Sequence, residues 1–244
     1  MATSESIKAY DVPERVAGYD SDMELMHPNR SKMLQIMLEL LPLRGGESFT
    51  ALVLGVGTGF FSNAILARFP NCRVIAVDGA ASMVEMAKSR LGPLASRVDF
   101  KIGDFRYLPK LLRSRQQLDL IYTAYALHHL TSQEKLTVVR DVVGLLKRGG
   151  WFLNADLIIA GDKLTEARIQ EIRVAGIVGR AGGRDNRFLT ASSTRAFLDD
   201  LEARDNDKPL TLAEDLKILR DAGLNNASAF WVEYREAVTG GFKS

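Results

Sequence analysis

The sequence predicts an α/β fold, and three observations predict it. Short apolar runs of strand length, such as Ala51 to Leu54 and Arg73 to Val77, alternate with stretches whose apolar side chains recur every three or four residues, such as Met33, Ile36, Met37, Leu40 and Leu41. The first run stops at glycines on alternate positions, Gly55, Gly57 and Gly59, and a helical pattern carrying Phe61, Ile65, Leu66 and Phe69 follows at once. The second run ends in Asp78, about twenty residues beyond the glycines, where nucleotide-binding α/β folds place an acceptor for ribose hydroxyls. Glycine tolerates positive φ and lets a ligand approach bare backbone, beside the free N–H groups of a helix start. Together these features define a pocket for an adenosine-containing ligand.

Taken in order, Met1 to Val12 is acidic and polar, holds little to bury, and reads as loose chain. It lacks the apolar stretch of a signal peptide, and no run approaches the roughly eighteen apolar residues that span a bilayer. A soluble, cytoplasmic protein without membrane contact is the expectation. Val16 to Met26 mixes apolar and polar residues around Tyr19 and Asp20, ahead of His27 and Pro28. Asn29 to Leu41 has the spacing of an amphipathic helix and is ended by Pro42 and Gly45-Gly46. After Asp78, Ser82 to Leu91 presents Met83, Met86, Ala87 and Leu91 on one face, a crossover helix to a third strand at Arg97 to Ile102.

Gly103, Asp104 and Phe105 close that strand, and a basic, polar linker at Arg113 to Gln117 leads to a fourth strand, Leu118 to Tyr122. The strand runs into Thr123-Ala124-Tyr125-Ala126-Leu127-His128-His129-Leu130. Ser132 to Leu146 reads as a helix opened by a capping box of Thr131 and Glu134, with Lys147-Arg148 suiting its dipole and Gly149-Gly150 stopping it. Trp151 to Leu157 is the fifth strand. A helix follows at Leu164 to Val178; Ala181 to Arg187 breaks the pattern, and Arg195 to Glu202 resumes it. Thr211 to Ala222 is a last core helix, with Glu214 at capping-box spacing and Gly223 at its end. Ala227 to Tyr234 and Ala237 to Lys243 read as two strands joined by a short turn.

At 244 residues the chain suits one large domain with a small added element. Formal net charge is +2, so the general electrostatic footprint of a nucleic-acid partner is missing. The single cysteine, Cys72, excludes an internal disulfide and cannot build a cysteine zinc site; it reads as a small packed residue at a strand start. No metal signature is visible in the spacing of the other candidate ligands.

The Gly-x-Gly-x-Gly spacing, with Thr58 inside it, differs from the dinucleotide Gly-x-Gly-x-x-Gly and resembles the glycine loop of class I S-adenosylmethionine-dependent methyltransferases. The family's acidic residue two positions before the first glycine is Val53 here. "Ala-Leu-His-His" after the fourth strand, and Leu-Leu-Lys-Arg-Gly-Gly before the fifth, where the family has proline in place of Arg148, extend the resemblance over roughly Met33 to Phe242. It implies a Rossmann-like seven-stranded mixed sheet with helices on both faces and a C-terminal antiparallel hairpin. It further implies S-adenosyl-L-methionine as cofactor, with Gly55, Gly57, Thr58, Gly59, Asp78, Gly79, Met83, Asp104, Phe105 and Thr123 around it. Asp104 would accept from the adenine amino group, and Gly79, Met83 and Phe105 would flank the ring.

By the same resemblance, residues 1–28 form a lid segment, 29–244 the cofactor-binding domain, and 161–205 a substrate-side insertion. Tyr19 and His128 are candidate catalytic residues, His128 as a general base at a strand's carboxyl end. Tyr19 reads equally as a packing aromatic, and the histidines as residues that pack the turn. Tyr125 and Arg184 are candidate substrate contacts; Arg180, Arg184 and Arg187 could hold an anionic group or form a solvated loop. A small-molecule methyl acceptor is expected, with oligomeric state open and a homodimer as one candidate. Alternatives are an enzyme of the carboxy-S-adenosylmethionine synthase-like branch, a tRNA-modifying enzyme, or a non-catalytic cofactor-binding scaffold.

Overall fold

The computed structural model of the protein describes residues 4–112 and 117–244. Strands β1 (Phe49–Leu54), β2 (Cys72–Asp78), β3 (Val98–Ile102), β4 (Leu118–Ala124) and β5 (Leu146–Ile159) pair in parallel in the order β3-β2-β1-β4-β5. β8 (Glu236–Phe242) pairs antiparallel with β5, and β7 (Ser228–Glu233) forms the far edge against β8. One addition to the expected seven strands is the two-residue β6 (Leu210–Thr211), which pairs with Ile158 and Ile159 at the end of β5.

The period of two in the strands decides which helix covers which face. Ala51 and Val53 of β1, with Val74 and Ala76 of β2, point into a core built with α3 (Arg30–Leu40), α4 (Phe60–Arg68) and α5 (Ala81–Leu91), whose Met33, Met37, Ile65, Leu66, Val84 and Ala87 are all buried. The intervening residues Leu52, Leu54, Ile75 and Val77 face the second core, made with Val138, Val139 and Val142 of α7 (Ser132–Leu145) and Ile218 and Leu219 of α10 (Leu212–Asp221). Cys72, at the start of β2, is fully buried in the first core, and its thiol is pushed up to about 12, chiefly by that burial. Both capping boxes form: Thr131 with Glu134, and Thr211 with Glu214.

Outside these layers, the end of α2 (Pro13–Met26) packs on α8 (Lys163–Ala181) and α9 (Ala191–Asp205), where Met26 joins Val174, Ile177, Phe188 and Leu198 in a separate cluster. Among the described residues, no helix is long and apolar enough to cross a membrane. Residues 1–3, and the basic linker at Arg113 to Gln117 except for Gln117, lie outside the described residues.

Three elements differ from the sequence expectation. Glu5–Tyr10 is a helix, α1, and not loose chain; Ser4 caps it, its hydroxyl accepting from the Ile7 N–H at 3.3 Å, and tertiary contacts fix it despite its short length. Gly149-Gly150 does not stop α7, which ends at Leu145. The pair lies inside β5, where Gly149 takes φ +76° and Gly150 passes so close to β4 that a Cβ would stand 2.8 Å from the Leu118 carbonyl. The register of β4 on β5 shifts at this point, which is what a bulge does. Before β3, Gly92–Arg97 is a 3-10 turn, so the strand begins one residue later than its apolar run suggests.

Candidate functional site

Strand order reverses between β1 and β4, and the crevice beyond their carboxyl ends is where an open α/β sheet accepts a ligand. The glycine loop begins there. Gly55, Gly57 and Gly59 have φ of +71°, +54° and +80°, and the N–H groups of Gly55 and Val56 donate to the Val77 carbonyl at 2.8 and 3.2 Å. The three glycines are needed for different reasons. At Gly55 a Cβ would stand 2.8 Å from that of Ala126; at Gly57 the space is open; at Gly59 it would press to 3.2 Å on Ala87 of α5. Gly59 therefore serves helix packing.

Asp78 closes the loop from the neighbouring strand. Its carboxylate accepts the Gly57 N–H at 2.8 Å and the Ala80 N–H at 2.9 Å. Burial pushes its pKa up, and these backbone donors only partly offset that. Asp104 accepts from the backbone N–H and the Nε of Arg106, both at 2.9 Å, and Arg106 reaches on to Glu134 at 2.9 Å. The Asx-turn chemistry and a position beside the crevice thus coexist at Asp104.

A cavity of about 350 Å³ fills the crevice. Of the residues singled out in the sequence, it brings together Gly55, Gly57, Asp78, Gly79, Met83, Asp104, Phe105, Tyr19 and Tyr125. α1 roofs it, with Ile7 so close to Gly79 that a Cβ there would lie 2.4 Å from the isoleucine side chain. The Asp11 carboxylate pins the helix end to α5 by accepting the Ser82 N–H at 2.8 Å.

Thr58, Gly59, Thr123, His128 and Arg184 do not line this cavity. The Thr58 hydroxyl is buried and turned outward, donating to Asp20 at 3.0 Å and accepting from Arg90 at 3.1 Å. Asp20 also pairs with Arg30 at 2.6 Å and with Arg90, so Asp20, and not Tyr19, grips the glycine loop from outside. Thr123 donates to the Leu54 carbonyl at 3.0 Å and staples β4 to β1. Arg184 folds back on the last turn of α8, its Nε 3.4 Å from the Ala181 carbonyl. Arg187 pairs with Asp22 and Asp185.

A second cavity of about 460 Å³ adjoins the first, and Tyr10, Tyr19 and Tyr125 line both. Its walls come from α2, α8 and α9, with apolar Met23, Met26, Phe197 and Leu201 opposite Arg15, Asp205, Asp207 and His128. Arg15 grips both carboxylate oxygens of buried Asp205, the Tyr10 hydroxyl donates to the same carboxylate at 3.0 Å, and the guanidinium stands 4.1 Å over the Tyr10 ring. Tyr125 adopts φ +49°, a left-handed conformation unusual for a bulky residue, and its hydroxyl donates to Glu236 at 2.6 Å. Burial raises the pKa of that hydroxyl, and the adjacent Glu236 carboxylate raises it further.

His128 is buried, with Nδ1 bonded to Asp156 at 2.6 Å and Nε2 3.5 Å from Asp207. Burial alone would lower its pKa; the two carboxylates outweigh it and the net direction is up. His129, which lines the first cavity, moves the other way, lowered by burial and by the neighbouring His128. Sequence reasoning did not single out Asp156, Asp207, Asp205, Glu236, Ile7 or Tyr10. Ser4 ahead of Glu5 was an N-cap signal that could have found α1; the others come from separate parts of the chain and left none.

Residues 51–150 match a family model described as a methyltransferase domain. An uncharacterized methyltransferase of Anoxybacillus flavithermus is 32% identical over 139 residues, 57% of this chain and 61% of its own length. Another, from Geobacillus kaustophilus, is 28% identical over 195 residues, 79% of each chain. Among solved structures, an O-methyltransferase family protein from Burkholderia thailandensis matches at TM-score 0.66 and 15% identity over 94% of this chain and 60% of that one. Human N-acetylserotonin methyltransferase, solved in complex with SAM, matches at TM-score 0.61 and 17% identity over 100% of this chain and 61% of that one. The chain thus spans about three fifths of the A. flavithermus relative and of these two structures.

Proposed function

Because residues 51–150 match a methyltransferase-domain model and the relatives are methyltransferases, we propose that the chain is a class I S-adenosylmethionine-dependent methyltransferase that transfers the methyl group of this cofactor to a small molecule seated in the second cavity. The observation that carries this reading is the pair of cavities meeting at Tyr10, Tyr19 and Tyr125. The first has the right chemistry for an adenosyl group, with a backbone glycine cradle at Gly55 and Gly57, a carboxylate at Asp78 for ribose hydroxyls, and the apolar faces of Met83 and Phe105 for a ring. Its volume lies in the range of small-molecule sites, about 300–1,000 Å³.

The bound cofactor supplies a methyl group already activated on a sulfonium. The protein's task is then alignment and exclusion of water. Ile7 and Tyr10 of α1 roof the site, and Tyr19 and Tyr125 form its waist. Glu236, by accepting from the Tyr125 hydroxyl, fixes the ring against which methyl donor and acceptor would be aligned. On the acceptor side, Asp156 holds Nδ1 of His128, so Nε2 is the nitrogen left to take a proton from a hydroxyl acceptor. Hydroxyl compounds are the first class to try, since O-methyltransferases stand among the structural neighbours.

The test is calorimetry with S-adenosylhomocysteine, followed by a screen of small hydroxyl, amine and carboxyl acceptors read out as S-adenosylhomocysteine formed. Binding together with turnover of a small acceptor is expected. No binding sinks the cofactor reading for this chain; turnover that requires added RNA sinks the small-molecule acceptor.

A further inference from the structure

Where the two cavities meet, beyond the tyrosines, His128, His129 and Asp207 aim ligand atoms at one point, all within 4.8 Å of one another. Nδ1 of His129 lies 3.0 Å from Oδ1 of Asp207, and Nε2 of His128 lies 3.5 Å from the same oxygen. His129 Nδ1 and Asp207 Oδ1 are buried and in ion-pair contact with each other, but the contact is poorly aligned for a hydrogen bond, and among the described residues neither atom has another partner. Buried polar atoms left in this condition call for a physical explanation. We propose that these three side chains form a site for a divalent cation of the zinc type, set between the cofactor and acceptor cavities.

Three features support it. The first is spacing: ligands about 2.0–2.1 Å from a tetrahedral metal stand about 3.3 Å from each other, which the 3.0 and 3.5 Å separations bracket. The second is the surrounding shell. A metal-bound imidazole typically gives its other ring nitrogen to a carboxylate, and His128 Nδ1 is bonded to Asp156 at 2.6 Å. That leaves Nε2, the atom that faces Asp207, as the coordinating nitrogen, and a metal held there takes the place of the general-base role proposed for the same atom in the metal-free chain.

The third is charge. Asp156 and Asp207 bring two buried or nearly buried carboxylates to the pair of imidazoles, while the strong cations nearby are committed elsewhere: Lys135 to Asp215 at 2.7 Å, and Arg235 to Glu166 and Glu202 at 3.2 and 3.1 Å. The Lys208 ammonium bonds to the Asn206 carbonyl at 3.0 Å. A divalent ion balances the two carboxylates and gives each orphaned atom a partner. Two imidazoles and one carboxylate favour zinc over calcium or magnesium, which prefer all-oxygen shells. Three protein ligands leave a fourth position free, the arrangement of a catalytic rather than a structural zinc site. His128 and Asp207 line the second cavity and His129 the first, so a hydroxyl or thiol of the acceptor could take that position; this last step rests on the proposed function, whereas the metal site does not.

The experiment uses the full chain, stripped with a chelator, dialysed against zinc and analysed for bound metal, with cobalt as a visible probe of tetrahedral geometry. About one equivalent per chain is expected. Asp207→Asn and His129→Ala should each weaken zinc binding at least about tenfold, and Asp156→Asn by about 10–100-fold through the outer shell. His27→Ala, which changes the remaining histidine, should keep the metal. Urea unfolding of each variant separates loss of a ligand from loss of fold. No zinc in the wild type, or zinc retained in both Asp207→Asn and His129→Ala, overturns the site. Zinc binding without S-adenosylhomocysteine binding leaves the site standing and removes the methyltransferase reading; the converse removes the site alone.

Discussion

The two cavities are built by different means. The first, the proposed cofactor side, is made from backbone: glycine turns with positive φ, N–H groups on Asp78, and strand ends in register. The second, the proposed acceptor side, is made from side chains of distant segments held by charge: Arg15 and Tyr10 on Asp205, Arg187 on Asp22, Arg173 and Arg235 on Glu202. A backbone-built site depends on local conformation and tolerates change elsewhere, whereas a side-chain-built one depends on every partner at once.

The largest effect should come from Gly55→Val. Valine at φ +71° costs about 1–3 kcal/mol in strain, and its Cβ, 2.8 Å from that of Ala126, adds about 1–3 kcal/mol of overpacking. Urea unfolding should show that loss and calorimetry no cofactor binding; wild-type affinity would break the backbone half of the comparison. Arg15→Ala should cost about 3 kcal/mol, the low end for stranding a buried charge, because Asp205 loses its close counter-ion and keeps only the half-exposed Arg204 at 3.7 Å. Proteolysis should then cut near α1, and an unchanged cleavage pattern would show that the ion pair does not hold the lid.

Asp78→Ala should lower S-adenosylhomocysteine affinity by about 1.5–3 kcal/mol, the range for hydrogen bonds to a charged group, with the Gly57 N–H freed as well. Retained affinity in a cooperatively folded variant would mean the ribose is held elsewhere. Ile7→Ala should be milder, about 1–2 kcal/mol of cofactor affinity, since it removes only part of the roof. Stopped-flow dissociation is the direct measurement, and an unaltered off-rate would take α1 out of the cofactor's enclosure.

Acid should separate the two sides most gently. Burial lifts Asp78, so it takes up its proton above the usual carboxylate range, and cofactor affinity should start to fall there. Glu202 has the opposite sign: burial would raise it, but Arg173 and Arg235 bring it below the usual range. Its contribution to stability is present above the unfolded-state value of about 4.3 and is lost only as pH falls through the lower folded value. Affinity should therefore decline before the urea midpoint does, and the reverse order would contradict the assignment of ionic support to the acceptor side.

This difference in construction also explains what could be read in the chain. The α/β class and a ligand crevice were legible because Ala51 to Asp78 carries strand, glycine turn, helix and carboxylate in one local run, whereas the seven-stranded sheet with helices on both faces followed only from the family resemblance. Orientation within that run was not legible. Nothing in the spacing says that Thr58 turns outward to Asp20, or that Gly59 is glycine for the sake of Ala87. Gly149-Gly150 looked like a helix stop because glycine marks helix ends and bulges alike. The His128, His129 and Asp207 cluster joins the turn after β4 to the chain beyond α9, and such a meeting exists only in the folded protein.

Cys72 gives the molecule a built-in clock. It is the chain's single thiol, fully buried at the start of β2, and with its ionisation pushed up to about 12 almost none of it is thiolate near neutrality. A thiol reagent can reach it only when the central sheet comes apart, so the labelling rate of the unmodified protein times global opening and not the movements of α1. Cofactor or zinc that binds only the native state must slow that rate in proportion to its occupancy, so one residue with no part in the chemistry reports how firmly each ligand closes the fold.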